Sequence, residues 1–227
     1  MLISAGPTRE PIDAVRFISN YSTGYMGARL AAEALARGHR VTLVSGPSVE
    51  PSPAGARVIP VETSVQMERA LRAHAAGADV VIMAAAVADF RPARKSTAKL
   101  HRRSQVHLKL QATPDIIAQL PRRRHQLVVG FALESGPVVF RARQKLRAKR
   151  LDLLLAQQLN GTGAPFGRRH VNAWLLEPGG TVTNLGHLSK GRIARVLLDK
   201  IETLWYGQHS PERNPKPSNG STRHAPR

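Results

Sequence analysis

The 227-residue sequence predicts an α/β fold: a Rossmann-like, doubly wound parallel sheet with a small antiparallel hairpin added to it. Three observations point there. Short apolar runs alternate with helical patterns along most of the chain. One of those runs, DVVIMAAA (79–86), lacks the polar alternation of a half-exposed strand, as expected where helices cover both faces of a sheet. Beyond residue 170 the pattern changes to two strand-like segments around a Gly-Gly turn.

LISA (2–5) is the first strand, and TGYMGARLAAEALARG (23–38) follows as a helix. Met26, Leu30, Ala31, Ala34 and Leu35 recur at helical spacing there before a glycine stop. RVTLVSG (40–46) and ARVIPV (56–61) read as strands two and three, VQMERALRAHAAG (65–77) as a helix and DVVIMAAA as the fourth strand. A long basic connection leads to the short helix PDIIAQL (114–120), the strand QLVVGFAL (126–133), the helix VFRARQKLRAKR (139–150) and the strand LDLLLAQ (151–157). VNAWLLEP (171–178) and TVTNLG (181–186) form the hairpin, and SKGRIARVLLDKIETLW (189–205) is a closing amphipathic helix. A single domain is expected over residues 1–206, with a disordered basic tail at 207–227 that carries no core-forming residues.

Composition narrows the function classes. The absence of cysteine excludes a disulfide framework and a thiolate metal site, and the nine histidines show no ligand spacing. No apolar run reaches membrane-spanning length and the N-terminus is not a signal peptide, so a cytoplasmic protein with no membrane contact is expected. The balance of 34 Lys and Arg against 15 Asp and Glu gives a net charge of +19. Residues 91–150 hold 16 of those bases and two acids, Asp115 and Glu134, so an anionic partner would meet a local surface. Nucleic acid is one such partner, but aromatics make up only 4% of the chain and mostly read as buried, which argues against a stacking platform.

The stretch VRFISNYSTGYMG (15–27) occupies the connection between the first strand and the first helix. Ser22, Thr23, Gly24 and Gly27 lie at the expected helix start, where free N–H groups and the helix dipole favour a phosphate; an ordinary helix cap would look the same. The spacing is G-x-x-G rather than G-x-G-x-x-G. Strand two ends VSGPS, without an acid for a ribose hydroxyl. An NAD(P)-dependent reductase is therefore the weaker alternative, and a nucleoside triphosphate the better fit.

The blocks SAGPTREPID (4–13), VRFISNYSTGYMG (15–27), VTLVSGP (41–47), AAAVADFRP (84–92), KLHR (99–102), ATPDII (112–117), VGFALES (129–135), RQKLRAKRLDLLLA (143–156) and IARVLLDKI (193–201) fall in an order and spacing that is specific. Over them the chain resembles the phosphopantothenate–cysteine ligases (phosphopantothenoylcysteine synthetases) of coenzyme A biosynthesis. The resemblance implies activation of 4′-phosphopantothenate by a nucleoside triphosphate through an acyl nucleotidylate, then capture by cysteine. KLHR resembles the signature of the CTP-dependent bacterial branch, with ATP the alternative, and Mg²⁺ is implied to neutralise the triphosphate.

Residue roles follow from the resemblance alone. Gly6, Ser22, Gly24 and Gly27 would cradle nucleotide phosphates. Asn20 would bind the phosphate of phosphopantothenate and orient the intermediate, with Ala85, Ala86 and Asp89 beside the substrates and Asp89 also serving the nucleotide. Lys99, on a flap, would bind nucleotide and stabilise acyl transfer. Pro114, Asp115, Ile116, Ile117 and Phe131 would contact the nucleotide, and Lys145 and Lys149 its triphosphate, although a solvated pair four residues apart looks alike in sequence. Arg16 would reach the substrate of a second subunit, in a homodimer joined by a strand-rich strap around residues 95–112. A stand-alone ligase, with its decarboxylase on a separate chain, is expected. Three departures stand out: Tyr25 where a base is common, Gln157 where asparagine is usual, and His101 and Arg102 in place of lysines.

Overall fold

The computed structural model describes residues 1–102, 105–159 and 165–209. In chain order, β1 (Leu2–Ala5) leads into a ribbon of β2 (Arg9–Pro11) and β3 (Phe17–Ser19), then α1 (Tyr25–Ala36), β4 (Thr42–Ser45), β5 (Arg57–Pro60) and α2 (Ser64–Ala75). β6 (Val80–Met83) is followed by a second ribbon, β7 (Phe90–Pro92) with β8 (Leu110–Ala112), and by the short helix α3 (Ile116–Gln119). β9 (Leu127–Glu134), α4 (Val138–Ala148), β10 (Leu153–Gln158), β11 (Val171–Leu176), β12 (Val182–Leu188) and α5 (Lys190–His209) complete the fold.

The main sheet runs β12-β11-β10-β9-β6-β1-β4-β5. Strands β5 to β10 across that order are mutually parallel, and β11 and β12 join antiparallel. The chain reverses its direction of winding between β1 and β6, the crevice where open α/β sheets bind ligands.

Alternation along the strands sorts side chains into two layers. Ile3, Leu43, Ile82, Val129 and Leu155 face α1 and α5, whereas Leu2, Val44 and Val81 face α2. Val128 and Leu154 face α4. Leu2 and Ile3 are both fully buried on opposite faces, so truncating either to alanine would cost about 2–5 kcal/mol. Thr63 and Gln66 form a capping box at α2, and Met67, Leu71 and Ala75 supply its buried stripe.

Both two-stranded ribbons escape the sequence reading, although β8 lies within the expected strap. Their strands are three residues long, too short for a periodicity to register. The expected burial of the aromatics is wrong: Phe17, Tyr21, Phe90, Phe140 and Tyr206 are exposed, two of them on these ribbons. α5 runs to His209, three residues into the expected tail, and the expectation for residues 210–227 lies outside the described residues. No helix among the described residues is long and apolar enough to cross a membrane.

Candidate active site at the sheet's carboxyl edge

Two tight crossings build the rim of the crevice. Gly6 (φ +75°) follows β1 and Gly46 follows β4. A Cβ on Gly46 would lie 1.8 Å from the carbonyl oxygen of Pro7, and one on Gly6 would lie 2.9 Å from that of Gly46. Only hydrogen fits at either place. Gly24 (φ +83°) is the N-cap of α1, and a Cβ there would strike the Ser48 hydroxyl at 2.2 Å. Gly27 brings α1 against Ala5 of β1.

Ser22 and Thr23 do not cap α1 in the usual way. Their hydroxyls accept from the N–H groups of Gly24 and Tyr25, each two residues on and 3.3 Å away, and the helix has no side-chain cap. These bonds stiffen the approach to α1, whose first turn carries no acidic residue.

The loop after β6 is tied back across the crevice. Ser4 Oγ accepts from Ala85 N at 3.1 Å, Ala86 N donates to the Gly6 carbonyl at 2.9 Å, and Ala88 N donates to Thr8 Oγ1 at 3.0 Å. Asn20 Nδ2 bridges the carbonyls of Ala86 and Val87 at 3.0 and 3.1 Å. Both amide hydrogens are thereby engaged, so Asn20 braces the loop that the sequence reading placed beside substrate. Thr113 Oγ1 donates to the Ala88 carbonyl at 2.6 Å, and Thr113 N to that of Asp89 at 3.0 Å, drawing the start of α3 to the same edge.

These loops enclose a cleft of about 710 Å³, within the range of small-molecule sites. Asn20, Ser22, Ala85, Ala86, Asp89, Pro114, Asp115, Ile116, Ile117, Phe131, Lys145 and Lys149 all line it. Gly6, Gly24 and Gly27 are buried behind its wall and shape it by close packing. Arg16 and Lys99 are exposed and stand outside it.

Charge is unevenly distributed over the lining. Asp115 caps α3 through Ala118 N at 3.2 Å and pairs with Lys149. Burial pushes the Lys145 ammonium below the usual lysine range, against the opposing pull of Glu134 and Asp89. Lys190, which the sequence reading missed, and Gln157, noted there only as a departure from asparagine, line the cleft as well. Lys190 is 5% exposed, donates to the Pro165 carbonyl at 2.6 Å, and burial lowers its pKa to about 8. Tyr21 and Phe166, also missed, place their rings 6.2 Å apart at the mouth.

Arg16 belongs to a separate device. Its guanidinium pairs with Asp13 and donates to the Leu100 carbonyl at 2.7 Å, while Leu100 N donates to Asp13 Oδ2 at 3.0 Å. The turn between β2 and β3 therefore clasps the segment that carries Lys99. Among the described residues no group of three or more His, Asp or Glu side chains could hold a metal ion.

Residues 1–204 match the family described as the DNA/pantothenate metabolism flavoprotein C-terminal domain. The chain belongs to this family. A bifunctional coenzyme A biosynthesis protein CoaBC from Mycobacterium bovis is 41% identical over 223 residues, covering 91% of this chain and 53% of the relative. A protein named cysteine/cysteine sulfinic acid decarboxylase, from an unknown prokaryotic organism, is 40% identical over 208 residues, covering 90% of this chain and 58% of the relative. The chain thus spans a little over half the length of these curated relatives. The crystal structure of a CoaBC C-terminal domain superimposes with a TM-score of 0.77 at 36% identity, covering 91% of this chain and 95% of that one. That likeness to other members of the flavoprotein C-terminal family extends over the mostly parallel sheet and its antiparallel extension.

Proposed function

We propose that this chain is a phosphopantothenate–cysteine ligase. A carboxylate oxygen of 4′-phosphopantothenate attacks the α-phosphorus of a nucleoside triphosphate, CTP in preference to ATP, and pyrophosphate leaves. The amine of cysteine then attacks the acyl carbon, the nucleoside monophosphate departs, and an amide remains. The observation that carries this reading is the convergence of twelve residues matched to the ligase pattern on one cleft at the sheet's switch point. Membership of the family and the likeness to a CoaBC C-terminal domain support it.

In this reading Lys145, in α4, and Lys149, the C-cap residue of that helix, neutralise the triphosphate, and Phe131 packs on the nucleotide. The backbone of Pro114–Ile117 lines the base. The buried Ile116 side chain leaves only its main chain for such contact. Asn20 and the alanines of the β6 loop shape the pocket for the acyl group. Asp89 is the exposed carboxylate of the cleft not spent on Lys149, and suits a Mg²⁺ ion that arrives on the triphosphate and neutralises its charge. Lys99 would have to swing in with its clasped segment to reach the reacting carbonyl.

A homodimer is part of the proposal. Val15, Phe17, Phe90 and Leu110 are exposed on or beside the two ribbons, a set of apolar side chains that a second copy would cover. A decarboxylase would act on the product as a partner activity. The test is pyrophosphate release with Mg²⁺, 4′-phosphopantothenate and CTP, with cysteine required to form the adduct.

A further inference from the structure

The edge of the cleft beside the antiparallel extension carries two residues to which the ligase resemblance assigns no role: Gln157 on β10, standing where asparagine is usual, and Lys190 at the start of α5. Gln157 is near the end of β10 and pairs with Ala173 on β11, whose first residue, Val171, pairs with Leu188 at the end of β12. Lys190 follows two residues later, at the start of α5. The register therefore sets Gln157 and Lys190 at the same carboxyl edge as the β1 and β6 loops. The two helices packed together there, α1 and α5, both begin at that edge and aim their positive ends at it.

Both side chains line the cleft, both are more than nine-tenths buried, and both present N–H groups. Gln157 Nε2 has no hydrogen-bond partner among the described residues. Lys190 has the Pro165 carbonyl, and among the described residues no carboxylate pairs with its ammonium. A buried amide donor left unmatched and a buried cation left without a counter-charge each cost stability, so together they mark a place that an external acceptor completes.

We propose that Lys190 and Gln157 form a phosphoryl-binding corner of the cleft, separate from Lys145 and Lys149 at the C-terminal end of α4. The corner takes phosphate oxygens, with the ammonium supplying charge and the amide a directed hydrogen bond. Two phosphoryl sources fit the proposed reaction, the nucleoside triphosphate and the phosphate of 4′-phosphopantothenate. In naming them the inference rests on the ligase reading, whereas the anion chemistry of the corner does not.

The test is calorimetric titration of the full chain with inorganic pyrophosphate, and separately with Mg-CTP and 4′-phosphopantothenate, in about 0.3 M salt to screen surface charge. Lys190→Met keeps the volume and should fold, as a matching far-UV spectrum would verify. The corner predicts pyrophosphate binding that weakens at least tenfold in Lys190→Met, several-fold in Gln157→Leu, and is partly restored in Lys190→Arg. Whichever substrate shows the same loss is the source. Pyrophosphate binding unchanged in both variants, or absent from the wild type, overturns the proposal. If Lys190→Met fails to fold, Gln157→Leu alone decides. Lys190-dependent pyrophosphate binding with neither substrate bound by the wild type would remove the ligase reading and leave the corner standing.

Discussion

The guanidinium of Arg16 donates to the carbonyl oxygen of Leu100 at 2.7 Å, joining residues 84 positions apart through a turn held by the buried carboxylate of Asp13. Asp13 accepts from Val15 N and Arg16 N, each at 2.8 Å, as well as from Leu100 N at 3.0 Å. One carboxylate thus organises both the β2–β3 turn and the approach to Lys99.

The clasp makes the position of that approach sensitive to acid. The Arg16 guanidinium, then the Leu100 N–H, hold the Asp13 carboxyl well below the usual carboxylate range. A depressed carboxyl contributes stability that is present above its unfolded value near about 4 and is lost as pH falls below it. Protection from hydrogen exchange at residues 96–100, taken relative to the intrinsic rate at each pH, should be high at pH 7 and should fall progressively as pH drops below about 4. Asp13→Ala should show the low protection already at pH 7.

The crossing of Gly46 over Pro7 predicts a stability defect remote from any ligand. A methyl group at Gly46 would lie 1.8 Å from a backbone oxygen, and backbone cannot rotate away as a side chain can. Gly46→Ala should cost at least about 1–3 kcal/mol. It should lower the thermal midpoint by several degrees, whereas Gly38→Ala, where the added carbon has open space around it, should suffer only from its positive φ.

Lys190 predicts a stability that improves with alkali. Burial lowers its folded pKa to about 8 from the ordinary 10.5, so between those values the unfolded chain binds more protons and stability rises with pH. Below pH 8 the full cost applies, on the order of 3 kcal/mol by the size of the shift. Lys190→Met should therefore be more stable than the wild type at pH 7, with the difference shrinking toward pH 10.5. Chemical denaturation across that range measures it. A wild type that is the more stable at pH 7 would contradict the assignment of an unpaired buried cation.

The two cleft lysines at the C-terminal end of α4 should separate the substrates. Lys149→Met removes a cleft cation and frees Asp115 from its ion pair, adding negative charge where the triphosphate would lie. The nucleotide KM should rise about tenfold, equivalent to about 1.4 kcal/mol, with little change for 4′-phosphopantothenate. Equal losses for both would place the lysine elsewhere in the reaction.

Much of this architecture was legible because the signals were strong and local. The apolar runs of β1, β6 and β10 have no polar alternation, and α1 repeats its apolar residues every three or four positions, so periodicity alone placed them. The blocks of the ligase resemblance then gathered most of the cleft. Three features lay beyond such reading. The ribbons of Phe17 and Phe90 are three residues long, and their partners are chosen by tertiary contact. The occupation of the Asn20 amide by two carbonyls depends on how the β6 loop folds back, which no spacing encodes. Lys190 reads as an ordinary first-turn residue of an amphipathic helix, and only the register of β10, β11 and β12 brings it to the same cleft edge as Gln157.

The central claim is tested most directly by following pyrophosphate release from Mg-CTP or Mg-ATP with 4′-phosphopantothenate, with and without cysteine, and identifying the product by mass. CTP-dependent release, with the cysteine adduct formed only when cysteine is present, is the predicted result. Release with ATP alone would keep the reaction and overturn the choice of nucleotide. No release with either, from protein that is folded and binds pyrophosphate, would contradict the ligase reading of the cleft.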